Sequence, residues 1–164
     1  MSKKIDINNI KFNNALLDFD ITWIVAPILK IRSRSFTLGE IIHRHKNITI
    51  GDILIGMYRL GYMQGLSDYL YGYYGRHIRI QITSGLRHLL YNRSIGSSDG
   101  SFHIWRFDNL WRIISANDIK SPDISTQELS DRVSEFVRGE TYEHKKWGFV
   151  HLGDYGVDED WDQW

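Results

Sequence analysis

The chain has 164 residues, with 20 Lys and Arg set against 20 Asp and Glu, and it has no cysteine. That length suits one domain with a real core, and the balanced charge leaves no basic stripe to make nucleic acid the main partner. Without cysteine, disulfides and thiolate metal sites are excluded, and any metal must be held by imidazole and carboxylate.

Residues 1–35 read as an N-terminal extension whose apolar part, 15–31, is suited to pack on the domain. The first fourteen residues place no apolar signal core behind their lysines, so synthesis in the cytosol is expected. The longest apolar run, 21–31, contains Pro27 and is too short to span a bilayer. Residues 48–74 carry Ile53, Met57, Leu60, Leu66, Leu70 and Tyr73 at helical spacing. Gly56, Gly61 and Gly65 each weaken that helix by roughly 1 kcal/mol relative to Ala, and Gly75 is placed to end it. Residues 78–82 alternate as a strand, and 86–95 form a short helix. A Gly/Ser-rich loop leads into a hairpin, whose two strands flank Asp108-Asn109. Ser125 and Glu128 have the spacing of a capping box. They open a helix with Leu129, Val133, Phe136 and Val137 on one face, which Gly139 closes. Residues 146–152 supply a last strand. Helices and strands mix without regular alternation, so the expected class is α+β, a small antiparallel sheet flanked by helices.

The chemistry concentrates between residues 80 and 151. Ser84-Gly85-Leu86-Arg87 makes a turn after the first strand, and Tyr91-Asn92 follows. Ser101-x-His103 comes next, then Ala116-x-Asp118, and later Phe149-Val150-His151. His103, Asp118 and His151 each stand at the end of a strand-like run. Two imidazoles and a carboxylate suit a catalytic zinc ion, because three protein ligands leave one position for water, the nucleophile of metal-assisted hydrolysis. The plain alternatives are a surface His at 103, a His at an edge-strand end at 151 and a capping Asp at 118. Asp108 at the hairpin turn competes with Asp118. His43 and His45 flank Arg44 as a solvated basic face.

In order and strand context these motifs resemble the zinc D-Ala-D-Ala carboxypeptidase and peptidoglycan endopeptidase family, which shares its fold with the hedgehog signalling domain. Ser84-Gly85-Leu86-Arg87-His88 resembles that family's S-G-Y-R-S turn, Tyr91-Asn92 its Y-N pair, and Phe149-Val150-His151 its late His. Phe36 to Ile41 resembles its entry segment. The chain departs from the pattern in two places. The family's Asp follows its His by seven positions, where this chain has Leu110. Asp118 lies fifteen positions after His103, a separation that a hairpin can absorb because antiparallel neighbours are only about 5 Å apart. The family also places a His or Asp two positions after the last ligand, or a Glu three before it. Gly153 and Gly148 stand there.

The resemblance implies a zinc peptidase domain over 36–156, followed by an acidic aromatic tail, 157–164. It implies His103, Asp118 and His151 as zinc ligands and Arg87 facing the scissile carbonyl. Ser84, Tyr91 and Asn92 would orient the loop or the substrate. Asp154 or Glu143 would serve as general base, with Glu140 also near. The implied substrate is the peptidoglycan stem peptide, met at the bacterial cell wall, which would suit a bacteriophage lysis or virion protein. Two other readings stay open: a non-catalytic member of the same fold serving as a virion structural or wall-binding module, and an unrelated interaction domain that binds no metal.

Overall fold

The computed structural model describes residues 27–42, 48–87, 89–97, 101, 103–107, 113–137, 141–144 and 148–153, with only the backbone for 89, 90 and 141–144. Asp108, Glu140, Asp154, His43, His45 and the tail 157–164 lie outside the described residues.

The architecture is α+β, as expected. Four helices are described: α1 (Leu38–Ile41), α2 (Ile50–Tyr74), α3 (Leu89–Ser94) and α4 (Thr126–Phe136). Six strands accompany them: β1 (Gln81–Ser84), β2 (Arg106–Phe107), β3 (Ile113–Ile114), β4 (Ala116–Lys120), β5 (Thr141–His144) and β6 (Phe149–Gly153). The main sheet runs β1-β4-β6-β5, antiparallel throughout, and β2 pairs with β3 in a separate ribbon.

Thr49 opens α2 through a capping box. Its hydroxyl accepts from the Asp52 amide while Asp52 accepts from the Thr49 amide, so two otherwise orphaned N–H groups are satisfied reciprocally. Gly75, at φ 65°, stops the helix in the left-handed conformation expected of it. The buried stripe of α2 differs from the one its apolar residues suggest. Met57 and Tyr73 are exposed, and the inward face is Gly51, Asp52, Ile55, Gly56, Arg59, Leu60, Met63, Leu66, Ser67 and Leu70. Half of these positions are glycine or polar, which hides the stripe from a count of apolar residues.

The hairpin between His103 and Asp118 forms as the β2–β3 ribbon, with Arg106 opposite Ile114 and Phe107 opposite Ile113. The strand after it, β4, then joins the main sheet. The expected strand 78–82 is shifted to Gln81–Ser84, and the expected helix 86–95 begins at Leu89. The reason is local: the Leu86 amide bonds the Ile41 carbonyl at 2.8 Å, and Leu86 bridges to Ile42. Ser125 caps α4 as foreseen, but only its own hydroxyl takes part. Glu128 accepts from Tyr74 Oη instead. Strand β5 was not foreseen. It precedes a turn at Gly148, which has φ 65°, and the last strand starts at Phe149.

One core lies between α2 and the sheet, joining Leu60, Met63, Leu66 and Leu70 to Ile119, Val150 and Leu152, with Leu129 and Val133 of α4 closing it. At the described end of the N-terminal segment, Ile28 and Leu29 pack against this core. Among the described residues no helix is long and apolar enough to cross a membrane.

Candidate metal centre

Strand periodicity divides the sheet into two faces. Asn117 and Ile119 of β4 turn towards α2, and Asp118 turns to the other side. In register, Asp118 stands opposite Ser84 of β1 and opposite His151 of β6. An irregularity in β1 between Ile82 and Ser84 produces the first pairing, and the Thr83 hydroxyl there donates to the Asp118 carbonyl at 3.2 Å. The central strand therefore presents Asp118 with His151 on one side and the Ser84–Arg87 turn on the other.

His103 arrives from the loop before the β2–β3 ribbon. Its amide bonds Ser101 Oγ at 3.3 Å, and Ile104 N closes a turn on the Ser101 carbonyl at 3.0 Å. The Ser-x-His spacing thus has a local cause. The loop is fixed at both ends. The Arg87 amide donates to the His103 carbonyl at 2.7 Å, and Trp105 Nε1 donates to Asp52 Oδ1 at 2.7 Å, tying the loop to the first turn of α2.

The three side chains converge. His103 Nε2 lies 3.1 Å from Asp118 Oδ2, and His151 Nδ1 lies 2.9 Å from Asp118 Oδ1. The two rings stand nearly perpendicular at 83° with centroids 5.4 Å apart. All three residues are buried, and one ligand atom from each falls within 4.8 Å of the others. Burial alone would push the Asp118 carboxyl up. Its hydrogen bonds to His103 and then His151 outweigh that and hold it below the usual carboxylate range.

This donor set fits a zinc ion. His103 Nδ1 is 3.0 Å from the Gly85 carbonyl, which can only accept. The proton therefore sits on Nδ1, and a neutral ring points its Nε2 lone pair at a carboxylate oxygen. Two lone pairs at 3.1 Å require a cation between them, a proton or a metal ion. The backbone carbonyl holding Nδ1–H is the outer-shell partner typical of a ligating histidine. Zinc bonds of about 2.0–2.2 Å put tetrahedral ligand atoms roughly 3.3–3.6 Å apart; the two His–Asp118 separations, 3.1 and 2.9 Å, are somewhat shorter, and the three donor atoms lie within 4.8 Å of one another.

Gly85 is required by its surroundings, not only by the turn. A Cβ there would lie 2.0 Å from the Ile41 carbonyl oxygen. The Ser-Gly pair thus lets β1 pass against the end of α1 while the Gly85 carbonyl reaches His103.

Arg87 is half-buried beside this cluster. Its Nε and Nη2 donate to Ser84 Oγ at 3.1 and 2.6 Å, and Nη1 donates to Asn92 Oδ1 at 3.3 Å. Burial lowers its pKa, and the Asp118 charge opposes that shift. Ser84 and Asn92 are themselves buried, so both act on the guanidinium's orientation. Tyr91 sits one residue before Asn92 on α3, half-buried. Glu143 is at a register position opposite Val150, whereas Tyr142 is opposite His151. The Glu143 side chain lies outside the described residues, as does Asp154 as a whole. Sequence reasoning passed over Asp52 and Arg59, and read Trp105 only as one of several core or groove tryptophans. Asp52 had one signal, its place three residues after Thr49 at the start of α2; Arg59 had none, because the inward face it shares was itself hidden.

No curated protein and no solved structure gives a significant match to the chain. A family model described as Peptidase M15 matches residues 34–153, which take in both helices that pack on the sheet, all three converging side chains and the Arg87 turn. Peptidases of this family are zinc-dependent, in keeping with the buried His-Asp-His group. The chain belongs to the peptidase M15 family, the zinc D-Ala-D-Ala carboxypeptidase-like metallopeptidases.

Proposed function

We propose that this chain is a zinc-dependent peptidase that hydrolyses an amide bond in peptidoglycan stem peptides at the bacterial cell wall. The observation that carries the reading is the convergence of His103, Asp118 and His151 on one face of the sheet within the region matching the family. His103 would bind through Nε2, His151 through Nδ1 and Asp118 through its carboxylate. Zinc so held supplies a Lewis acid and brings the pKa of a bound water towards 7.

The chain's own groups do the rest. Arg87, locked by Ser84 and Asn92, presents a fixed positive charge next to Asp118. A preorganised donor of this kind stabilises the charge developing on a carbonyl oxygen. Tyr91, adjacent to that network, would contact the peptide. Asp154, three residues after His151, is the first carboxylate to test as general base. Glu143 is the second, because its register position opposes Val150, not His151.

The experiment is incubation with purified peptidoglycan, followed by mass spectrometry of the soluble fragments. New amine termini or released alanine that vanish with chelator are expected. Reducing sugar ends without peptide cleavage would refute the reading. One observation favours a second reading, a non-catalytic wall-binding or virion structural module. The resemblance implies a His or Asp two positions after His151 or a Glu three before it; Gly153 and Gly148 stand there, and at φ 65° position 148 disfavours a side chain. Bound zinc with no cleavage of several wall chemotypes would decide for that module.

A further inference from the structure

Arg59 is fully buried in the middle of α2, on the face of the sheet opposite the metal ligands. Its Nε donates to Asn117 Oδ1 at 2.8 Å and its Nη2 to the Leu152 carbonyl at 3.0 Å. The guanidinium also lies 4.8 Å from the Tyr62 ring centroid. Asn117 and Leu152 are cross-strand partners, and the neighbouring pair in the same register is Asp118 with His151. One guanidinium therefore grips both strands at the step beside the two ligands they carry.

We propose that Arg59 is a positioning residue for the metal site: it sets the spacing and alignment of β4 and β6, and through them the approach of Asp118 and His151. This inference rests on the zinc reading above. Its physical basis is the cost of the residue. Removing a guanidinium from water is expensive, and a well-packed apolar side chain at the same place is often neutral or stabilising. Core packing alone does not account for an arginine among Leu60, Met63 and Leu66. A planar fork whose separate nitrogens reach two different strands does account for it, and lysine, with all its donors on one nitrogen, does not reproduce that fork. The device leaves the ligand face clear, because both strand contacts are made from behind.

The test measures zinc affinity by competition with a chromophoric chelator, together with the visible spectrum of the cobalt-substituted protein, in wild type, Arg59→Lys and Asn117→Ala. Asn117→Ala keeps the arginine and cuts its link to β4, so it carries the test should Arg59→Lys fail to fold. Leu70→Ala, a core change remote from that link along the same helix, controls for simple destabilisation. Zinc affinity should fall about 10–100-fold in the two linked variants, the range for outer-shell partners of a metal site. Their cobalt bands should shift, while Leu70→Ala lowers the melting temperature and leaves affinity and spectrum at wild-type values. Unchanged affinity and spectrum in both linked variants would overturn the role of Arg59 alone, as would an equal loss in Leu70→Ala. A wild-type protein that takes up no zinc would overturn the metal reading and this inference with it.

Discussion

His103 can offer a metal only Nε2, because the Gly85 carbonyl holds the proton on Nδ1 at 3.0 Å. His151 meets Asp118 through its other nitrogen, Nδ1, at 2.9 Å. The two imidazoles therefore face Asp118 through different nitrogens, His103 from a turn and His151 from a strand. The types and order of these residues were legible in the sequence. The Gly85 carbonyl that holds His103 was not, since a backbone carbonyl carries no sequence signature. Arg87 shows the same limit. The resemblance of its Ser-Gly-x-Arg turn implied a charge aimed at substrate, but its lock on Ser84 and Asn92 depends on how α3 follows β1. If it stabilises developing charge on the carbonyl oxygen, Arg87→Ala should lower kcat by about 10²–10³-fold. Zinc content should stay at the wild-type level, because the guanidinium is no ligand. Arg87→Lys should recover little, since a single ammonium nitrogen does not reproduce the planar fork that reaches Ser84 and Asn92 from separate nitrogens. Wild-type turnover in Arg87→Ala, measured on stem peptides, would make the residue structural.

Between elements, the decisive events are close approaches and cross-strand steps. The fifteen-residue separation of His103 and Asp118 is absorbed because residues 104–115 contain the β2–β3 ribbon, so the chain leaves and returns at nearly the same place. Length and turn residues made that legible. Strand β5 was hidden because its residues, Thr141 to His144, show no clean alternation of apolar and polar types. The inward face of α2 was hidden for a related reason: Gly51, Asp52, Gly56, Arg59 and Ser67 share it with the aliphatics. Two glycines separate the roles that sequence alone treats alike. Gly61 lies on the exposed side of α2, and a Cβ there meets nothing within 4 Å. Gly61→Ala should stabilise the protein by about 0.5–1 kcal/mol in denaturant melts, the ordinary helix-propensity gain. A Cβ on Gly85 would meet the Ile41 carbonyl oxygen at 2.0 Å, where backbone must move. Gly85→Ala should cost about 3 kcal/mol or more, at or beyond the top of the overpacking range. It should also weaken zinc binding, because the carbonyl that orients His103 belongs to that residue. Equal stability for the two variants would refute this division.

Over the whole molecule, the three converging side chains, His103, Asp118 and His151, come from separate parts of the chain: the loop before the ribbon, the central strand β4 and the strand β6. The unfolded chain has no such cluster, so metal that binds only the folded state must add to stability by mass action. At free zinc one hundred times the dissociation constant the gain is about 2.7 kcal/mol. The melting temperature should therefore climb with zinc concentration, fall with chelator, and stay flat in His103→Ala and His151→Ala, whose folds should persist without stoichiometric metal. The pH dependence follows from the ligands. The Asp118 carboxyl is held below its ordinary range in the fold. Its contribution to stability is therefore complete above the ordinary carboxylate pKa of about 3.9, and is lost only as pH falls below that through the depressed folded value. Imidazole ligates only when neutral and ordinarily titrates near pH 6.5. Acidification from pH 8 should accordingly erase the zinc-dependent rise in melting temperature between about pH 7 and pH 5, while the zinc-free protein, with Asp118 still ionised, keeps its own transition through that window. Calorimetric scans with and without zinc at pH 8, 6 and 5 check this. A zinc-dependent shift as large at pH 5 as at pH 8 would mean that imidazoles do not hold the metal.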